Sequence, residues 1–292
     1  MVIVDILQSM VDGLFFGATY ALIGIGFTLV FGVMHKINMA YAAASVGGAY
    51  AALRIMALTG GPAWSSLLFA AIAGGLFGFL IYWICFRFIP LSNPLATLMS
   101  TVGMFLLVDE IIVHTTDGMP QNYPVVIGGI LDIGEFMIRG DLVFVFVCAI
   151  LAMVVLLYLL YRTKLGIATR AVSQQPIAAQ LVGIRLDHVN ALTFIITGML
   201  GGFAGALIGS SVGLLSPLLV VPLTVKGLIV TVIGGLGSIP GAIIAGLLVG
   251  TVENVVQYFR GVTERDMYVM LLLFVFLVFR PGGIFSNTAK RD

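Results

Sequence analysis

The sequence predicts an all-α, polytopic transmembrane helical bundle, and three observations carry that prediction. Apolar residues make up 60% of the chain and charged ones 9%, with a mean hydropathy of +1.15, a balance that a water-facing globule does not sustain. About nine apolar runs are long enough to cross the roughly 30 Å of bilayer hydrocarbon. Glycine occurs 36 times, often at four-residue spacing inside those runs, the pattern that lets helices approach closely in lipid. No linker or low-complexity stretch divides residues 1–292, so they read as a single transmembrane domain.

The first run, 10–34, begins close to Met1 without a basic n-region or an early A-x-A site, so it is expected to stay in the chain. Runs follow at 38–58, 65–88, 94–114, 142–161, 190–212, 222–237, 240–258 and 267–280. The third, with LLFAAIAGGLFGFLIYWICFRF, and the ninth, with MYVMLLLFVFLVF, are the clearest. In the sixth, Gly201, Gly205, Gly209 and Gly213 share one helical face, flanked by Gly198 and Gly202; tight helix packing and a pore lining are the two readings. The seventh is short and separated from the eighth only by Ser238-Ile239-Pro240. That pair reads either as two crossings or as a re-entrant, interrupted arrangement.

With the N-terminus outside, the inner loops receive Lys36, Arg87, Arg162, Lys164, Arg170, Arg185, Arg280, Lys290 and Arg291, and the outer loops Arg54, Arg139, Arg260 and Arg265. This satisfies the positive-inside rule, which the reverse orientation violates, and leaves the C-terminus cytoplasmic. Residues 115–141, with Asp117, Asp132, Glu135, Asp141, Pro120 and Pro124, form a large extracytoplasmic loop suited to capping a pathway or meeting a delivery protein. A net charge of +1 without a basic run offers nothing to nucleic acid. Cys85 and Cys148 lie in apolar runs and read as small hydrophobes, with no disulfide or metal implied.

Catalytic motifs are missing: no G-x-x-x-x-G-K-[ST], H-E-x-x-H or C-x-x-C occurs, and His35, His114 and His188 are too scattered for shared metal ligation. Asp109 and Glu110 are adjacent on a helix and so point about 100° apart, poorly placed for a dyad. An enzyme is not expected. Ionisable groups in lipid are costly and therefore candidates for function. Asp109-Glu110 is one, with headgroup hydration as the alternative; Lys226 is another, with snorkelling as the alternative. Glu253, deep in AGLLVGTVENVVQYF beside Asn254, reads as a helix–helix hydrogen bond or as a solute contact.

Residues 162–189 stand apart as a polar, basic-flanked stretch between two spans. Gly166 is expected to break the preceding helix, and 168–181 to form a short amphipathic helix that Pro176 interrupts or restarts, with Gly183 closing it. Such an element suits insertion into a groove on a soluble partner or a position flat on headgroups.

Four ordered stretches carry a resemblance. They are GLFFGATYALIGIGFTLVFGVMHKINMAYAAASVGGAY (13–50); Arg170-Ala171 with Ala178-Ala179 and Leu181-Val182-Gly183-Ile184; Lys226-Gly227 followed by VIGGLGSIPGAIIAGLLVGTVEN (232–254); and FRPGGIF (279–285). Over nearly the whole chain they resemble the inner-membrane permease subunits of ATP-binding-cassette importers of the branched-chain amino acid type. The resemblance implies half of a translocation pathway, completed by a similar permease subunit in a heterodimer. It also implies two cytoplasmic ATPase subunits, which bind ATP and Mg, an extracytoplasmic solute-binding protein, and a bacterial-type inner membrane; this chain itself would carry no cofactor or metal. It puts Arg170, Ala171, Gln174, Ala179 and Gly183 in the coupling loop facing the ATPases, and Asn38, Tyr41, Gly234, Gly235, Gly237 and Glu253 on the pathway.

One departure bears on the solute. After Ile37-Asn38 the family usually continues with a small or aromatic residue, then Ala, His, Gly and an acid, whereas this chain reads Met39-Ala40-Tyr41-Ala42-Ala43. The change fits either a solute other than leucine, isoleucine or valine, such as a larger carboxylate, an aromatic acid or an amide, or drift at a packing position. The rival to the importer is a channel or ion-coupled carrier working without ATPases, with Asp109, Glu110 or Glu253 as coupling groups.

Overall fold

The computed structural model describes residues 2–89, 94–133, 136–280 and 282–285; Glu135, Pro281, Lys290 and Arg291 of the sequence reading lie outside them. Helix α1 (Val2–Met34) is followed by α2 (Tyr41–Thr59), α3 (Ser65–Ile81), which continues as a π-helical turn to Arg87, and α4 (Pro94–Thr116). Strand β1 (Gln121–Asn122) and the hairpin of β2 (Ile130–Ile133) and β3 (Phe136–Arg139) lead into α5 (Gly140–Arg162), α6 (Lys164–Gln174), α7 (Pro176–Leu181) and α8 (Leu186–Val212). Strand β4 (Leu214–Leu215), a 3-10 turn (Pro217–Leu219), α9 (Val220–Gly234), α10 (Ile239–Arg260) and α11 (Val262–Phe279) complete the chain.

Among the described residues, eight helices, the 3-10 turn counted with α9, are long and apolar enough to cross a membrane. The ninth element, α11, departs from expectation: it begins at Val262, so Glu264, Arg265 and Asp266 fall in its first turns and not in an outer loop. Its apolar stretch from Met267 to Phe279 covers about 20 Å. Arg265 and Asp266 are tolerated there because partners on neighbouring helices take the place of water.

Successive helices alternate in direction, which sorts the connections onto two ends. The 162–189 segment and the 235–238 turn share one end with Lys36, Arg87, Arg162, Lys164, Arg170, Arg185 and Arg280; the other end has Arg54, Arg139 and Arg260. Helix α9 starts beside β4 at the second end and finishes at the first, and α10 returns antiparallel to it. The pair therefore makes two traverses, and the re-entrant alternative gives way.

Two glycine seams hold the bundle. A Cβ on Gly17 would lie 2.8 Å from the Gly246 carbonyl oxygen, and one on Gly13 2.7 Å from that of Gly250, so α1 and α10 meet backbone to backbone. Between α3 and α8, a Cβ on Gly74 or Gly198 would collide with the other's carbonyl. Lipid tails are as apolar as leucine, so helices associate through such close dispersion contact and not through the hydrophobic effect. The glycine face predicted on α8 is divided: Gly198 and Gly202 receive α3, Gly201 and Gly205 receive Tyr41 and Ser45 of α2, and Gly209 receives the Tyr123 ring. Packing, not pore lining, accounts for it.

The 115–141 segment folds over the ends of α1 and α8. Strand β1 pairs antiparallel with β4, the Tyr50 hydroxyl donates to the Leu215 carbonyl at 2.7 Å, and Gln8 donates to Met137 O at 3.0 Å. Arg139 holds Asp141 through two hydrogen bonds of 3.2 and 2.6 Å and also donates to Ser211 O at 2.9 Å. Burial beneath this cover pushes the Tyr123 phenol above its ordinary range.

Candidate functional site

At the basic end the chain leaves α5 through Thr163, whose extended backbone breaks the helix and whose hydroxyl accepts from Gly166 N at 3.3 Å, capping α6. The break thus precedes Gly166, which instead lets the first turn of α6 press against the Leu160 carbonyl, where a Cβ would collide. Gln175 is extended, and Pro176 starts α7 at a position that has no use for an N–H. Gly183 then turns the chain with φ +88°, a conformation that glycine adopts without penalty.

This arrangement divides the predicted coupling residues. Arg170 and Gln174 are exposed on α6, with the Arg170 guanidinium 5.2 Å from the Tyr161 ring centroid. Ala179 is buried, and Ala171 packs against the core, so these two fix the element to the bundle. What α7 and its exit present outward is Ile177, Leu181 and Val182, each at least 73% exposed. Sequence reasoning passed over Ile177 and took Val182 only as part of a motif; a solvent-side aliphatic on a six-residue helix was the available signal for Ile177.

Arg170 and Gln174 also line a cavity of about 790 Å³. Its other walls are the end of α1, including Thr28, Gly32 and His35, and the α9–α10 turn at Gly237. That turn is built by Gly235 (φ +100°) and Gly237 (φ +87°), with Ser238 Oγ accepting from Gly241 N at 3.3 Å to cap α10. A Cβ on Gly234 would lie 2.7 Å from the Gly241 carbonyl oxygen, so this glycine closes the turn. The chain after α11 straps across it, Ile284 N donating to Ile233 O at 2.8 Å and Phe285 N to Gly234 O at 3.4 Å.

The second concentration of chemistry lies near the other end, where four helices meet. Lys226 on α9 donates to Glu253 Oε1 on α10 at 2.8 Å and to the Tyr20 hydroxyl on α1 at 3.2 Å, and its Nζ is 3.0 Å from Asp266 Oδ1 on α11. Arg265 Nε is 3.3 Å from the same Glu253 oxygen, and Arg265 Nη1 donates to Gln257 Oε1 at 3.1 Å. Glu253 stands seven residues before the end of α10, about 10 Å along the helix, so the cluster lies inside the bundle. Two cations and two anions cancel, which makes burial tolerable where a lone charge would not be. Lys226 is therefore not a snorkelling residue. The partners Arg265 and Asp266 were missed because the sequence reading placed them in a hydrated turn.

Asn38 and Tyr41 lie elsewhere. Asn38 Oδ1 accepts from Ala40 N at 3.1 Å in the bend before α2, and Tyr41 is buried between α1 and α8, stacked edge-on with Phe27 at 4.9 Å. The predicted pathway residues thus fall in three places: the α1–α2 bend, the glycine turn at the basic end, and the charged cluster.

Residues 9–279 match the family described as branched-chain amino acid transport system, permease component. The chain belongs to this family. Among its relatives, the high-affinity branched-chain amino acid transport system permease protein BraD of Pseudomonas aeruginosa is 32% identical over 294 residues, with 96% of each chain covered. The LivH permease protein of Escherichia coli K12 is 30% identical over 296 residues, again with 96% of each covered. A chain of PsaBC from Streptococcus pneumoniae, solved with a Fab, shares the fold at a TM-score of 0.50 and 12% identity, covering 93% of this chain and 90% of that one. Like other branched-chain permease components, this chain is the membrane-spanning subunit of an ATP-driven importer and works with separate ATPase subunits. ATP hydrolysis belongs to those subunits, which agrees with the lack of a phosphate loop in its sequence.

Proposed function

We propose that the protein forms one half of the translocation pathway of an importer for branched-chain amino acids or a related small carboxylate or amide. A similar permease subunit supplies the other half, two ATPases bind on the cytoplasmic side, and an extracytoplasmic binding protein delivers solute. The N-terminus and the 115–141 segment face outward and the C-terminus faces the cytoplasm, in keeping with the sorting of basic residues between the two ends. The observation that carries the reading is the α6–α7 element, which presents the exposed Ile177, Leu181 and Val182 at the same basic end as the exposed Arg170. An apolar rim on an element that also carries an exposed cation suits a groove on a soluble partner.

ATP-driven closure of the ATPases would move this element, and through Ala171 and Ala179, which pack on the bundle, the α1 and α9–α10 ends around the large cavity. For that coupling to work, nucleotide must favour one arrangement of the bundle over the other. The test is to tag the chain, express it with its genomic neighbours, and purify wild type and Arg170→Glu. An ATPase that accompanies wild type and is lost from the variant is the expected result. A permease that purifies alone and takes up solute on an ion gradient would overturn it.

A further inference from the structure

Between α9 and α11 the side chains of Val221, Pro222, Val225, Ile229, Val269 and Met270 line a half-open chamber of about 140 Å³ whose charged lining residues are Lys226 and Asp266. The space holds about four or five water-sized groups. Its chemistry is specific: one cation and one anion, 3.0 Å apart, at the head of an apolar chamber. A plain carboxylate entering there would meet Asp266, and a plain amine would meet Lys226, each a like-charge contact. A molecule with an ammonium and a carboxylate on one carbon and an aliphatic tail satisfies both charges and fills the chamber.

We propose that Lys226, Asp266 and this chamber form a solute subsite that takes the head group of an aliphatic α-amino acid, carboxylate at Lys226 and ammonium at Asp266. The inference rests on the importer reading above and adds to it the residues that recognise the solute. Two N–H bonds of Lys226 are engaged, by Tyr20 and Glu253, while Asp266 Oδ1 lies 3.0 Å from Nζ as an ion-pair neighbour with no hydrogen bond, so the solute carboxylate takes the third N–H and displaces Asp266 there. Asp266 is the member free to turn, because its side chain is 47% exposed while that of Glu253 is 4% exposed. One internal ion pair is exchanged for two with the solute, and the net charge of the cluster stays at zero. Glu253 and Tyr20 are positioning residues that hold Lys226 in place through the exchange.

The test measures binding to the complete importer in nanodiscs, without its binding protein, by saturation-transfer NMR of L-leucine, 4-methylpentanoate and isopentylamine. Wild type is expected to bind leucine at least about tenfold more tightly than either one-charge analogue. Asp266→Asn should lose the preference over 4-methylpentanoate, and Lys226→Gln the preference over isopentylamine, shifts in selectivity that a purely structural role would not produce. Should either variant fail to assemble, Met270→Ala reports instead, through improved binding of phenylalanine relative to leucine. Equal binding of all three probes to wild type, or unchanged selectivity in the variants, overturns the subsite. Leucine binding that disappears when phosphatidylethanolamine is added to phosphatidylglycerol nanodiscs also overturns it, assigning the cavity to a lipid headgroup. A wild-type importer that transports no amino acid at all would count against the solute reading itself, a separate failure.

Discussion

Replacing Lys226 by methionine removes the cation that contacts both acids of the buried cluster and leaves its shape nearly filled. Glu253 and Asp266 then share only Arg265, which sits 3.3 Å from one and 3.9 Å from the other, so the cluster carries an uncompensated negative charge. Removing one partner of a buried pair costs about 3–5 kcal/mol. The remaining Arg265 contacts and the partial exposure of Asp266 put this case at the lower end, about 3 kcal/mol. Lys226→Met together with Glu253→Gln restores neutrality, Arg265 facing Asp266, and should cost no more than about 1 kcal/mol. The double variant is therefore predicted to be more stable than the single one by about 2 kcal/mol, a coupling opposite in sense to additivity. Unfolding of the purified chain in mild detergent micelles, followed by SDS titration, measures all three differences. Additive losses, or a single variant within about 0.5 kcal/mol of wild type, would refute the view that these charges are stabilised by one another.

Other outcomes follow from the same structure. Gly198→Ala places a methyl against the Gly74 carbonyl and is expected to destabilise the bundle by about 1–3 kcal/mol, read as a lower unfolding midpoint in detergent. Leu181→Asp, on the exposed rim of α7, should reduce co-purification of the ATPases while leaving the unfolding midpoint within about 0.5 kcal/mol of wild type. Gly283, at φ +81° with Gly235 N 2.5 Å from the position of a Cβ, should on replacement by valine release the C-terminal strap, seen as faster amide exchange at Ile284. Because burial raises the Tyr123 phenol, the folded state holds its proton more tightly than the unfolded chain; the stability this contributes is complete below pH 10.0 and lost as pH rises beyond it. Tyr123→Phe should therefore flatten the alkaline fall in stability.

Composition and run length made the fold class readable, because only helices that bond their own backbone can lie in lipid in this way. Helix ends were less readable. The sequence suggested that α11 starts after Asp266, since three successive charges ordinarily mark a hydrated turn, and nothing local shows that Lys226 and Glu253, on two other helices, supply their partners. The coupling element was legible as a polar stretch with Pro176 and Gly183 as punctuation, but its inward and outward faces were not. Ala179 turned inward and Ile177 outward because α7 is restarted by Pro176, which resets its rotation relative to α6. Tyr41 was singled out as a substitution within a motif; its packing against Gly26 and Gly201 depends on two distant glycines that no local pattern connects to it.

The seam between α1 and α10 has a consequence for how the protein is made. Gly13 and Gly17 face partners that emerge from the ribosome roughly 230 residues later, an interval of about ten to fifty seconds at ordinary elongation rates. Throughout it, the glycine face of the first helix lacks its partner, while helices between them, α5 and α8 among them, insert and pack against α1. Whatever covers that face of α1 during the wait, whether lipid or an insertase, must let go when α10 arrives, so the joining of α10 exchanges a neighbour of the first helix and is not a simple addition.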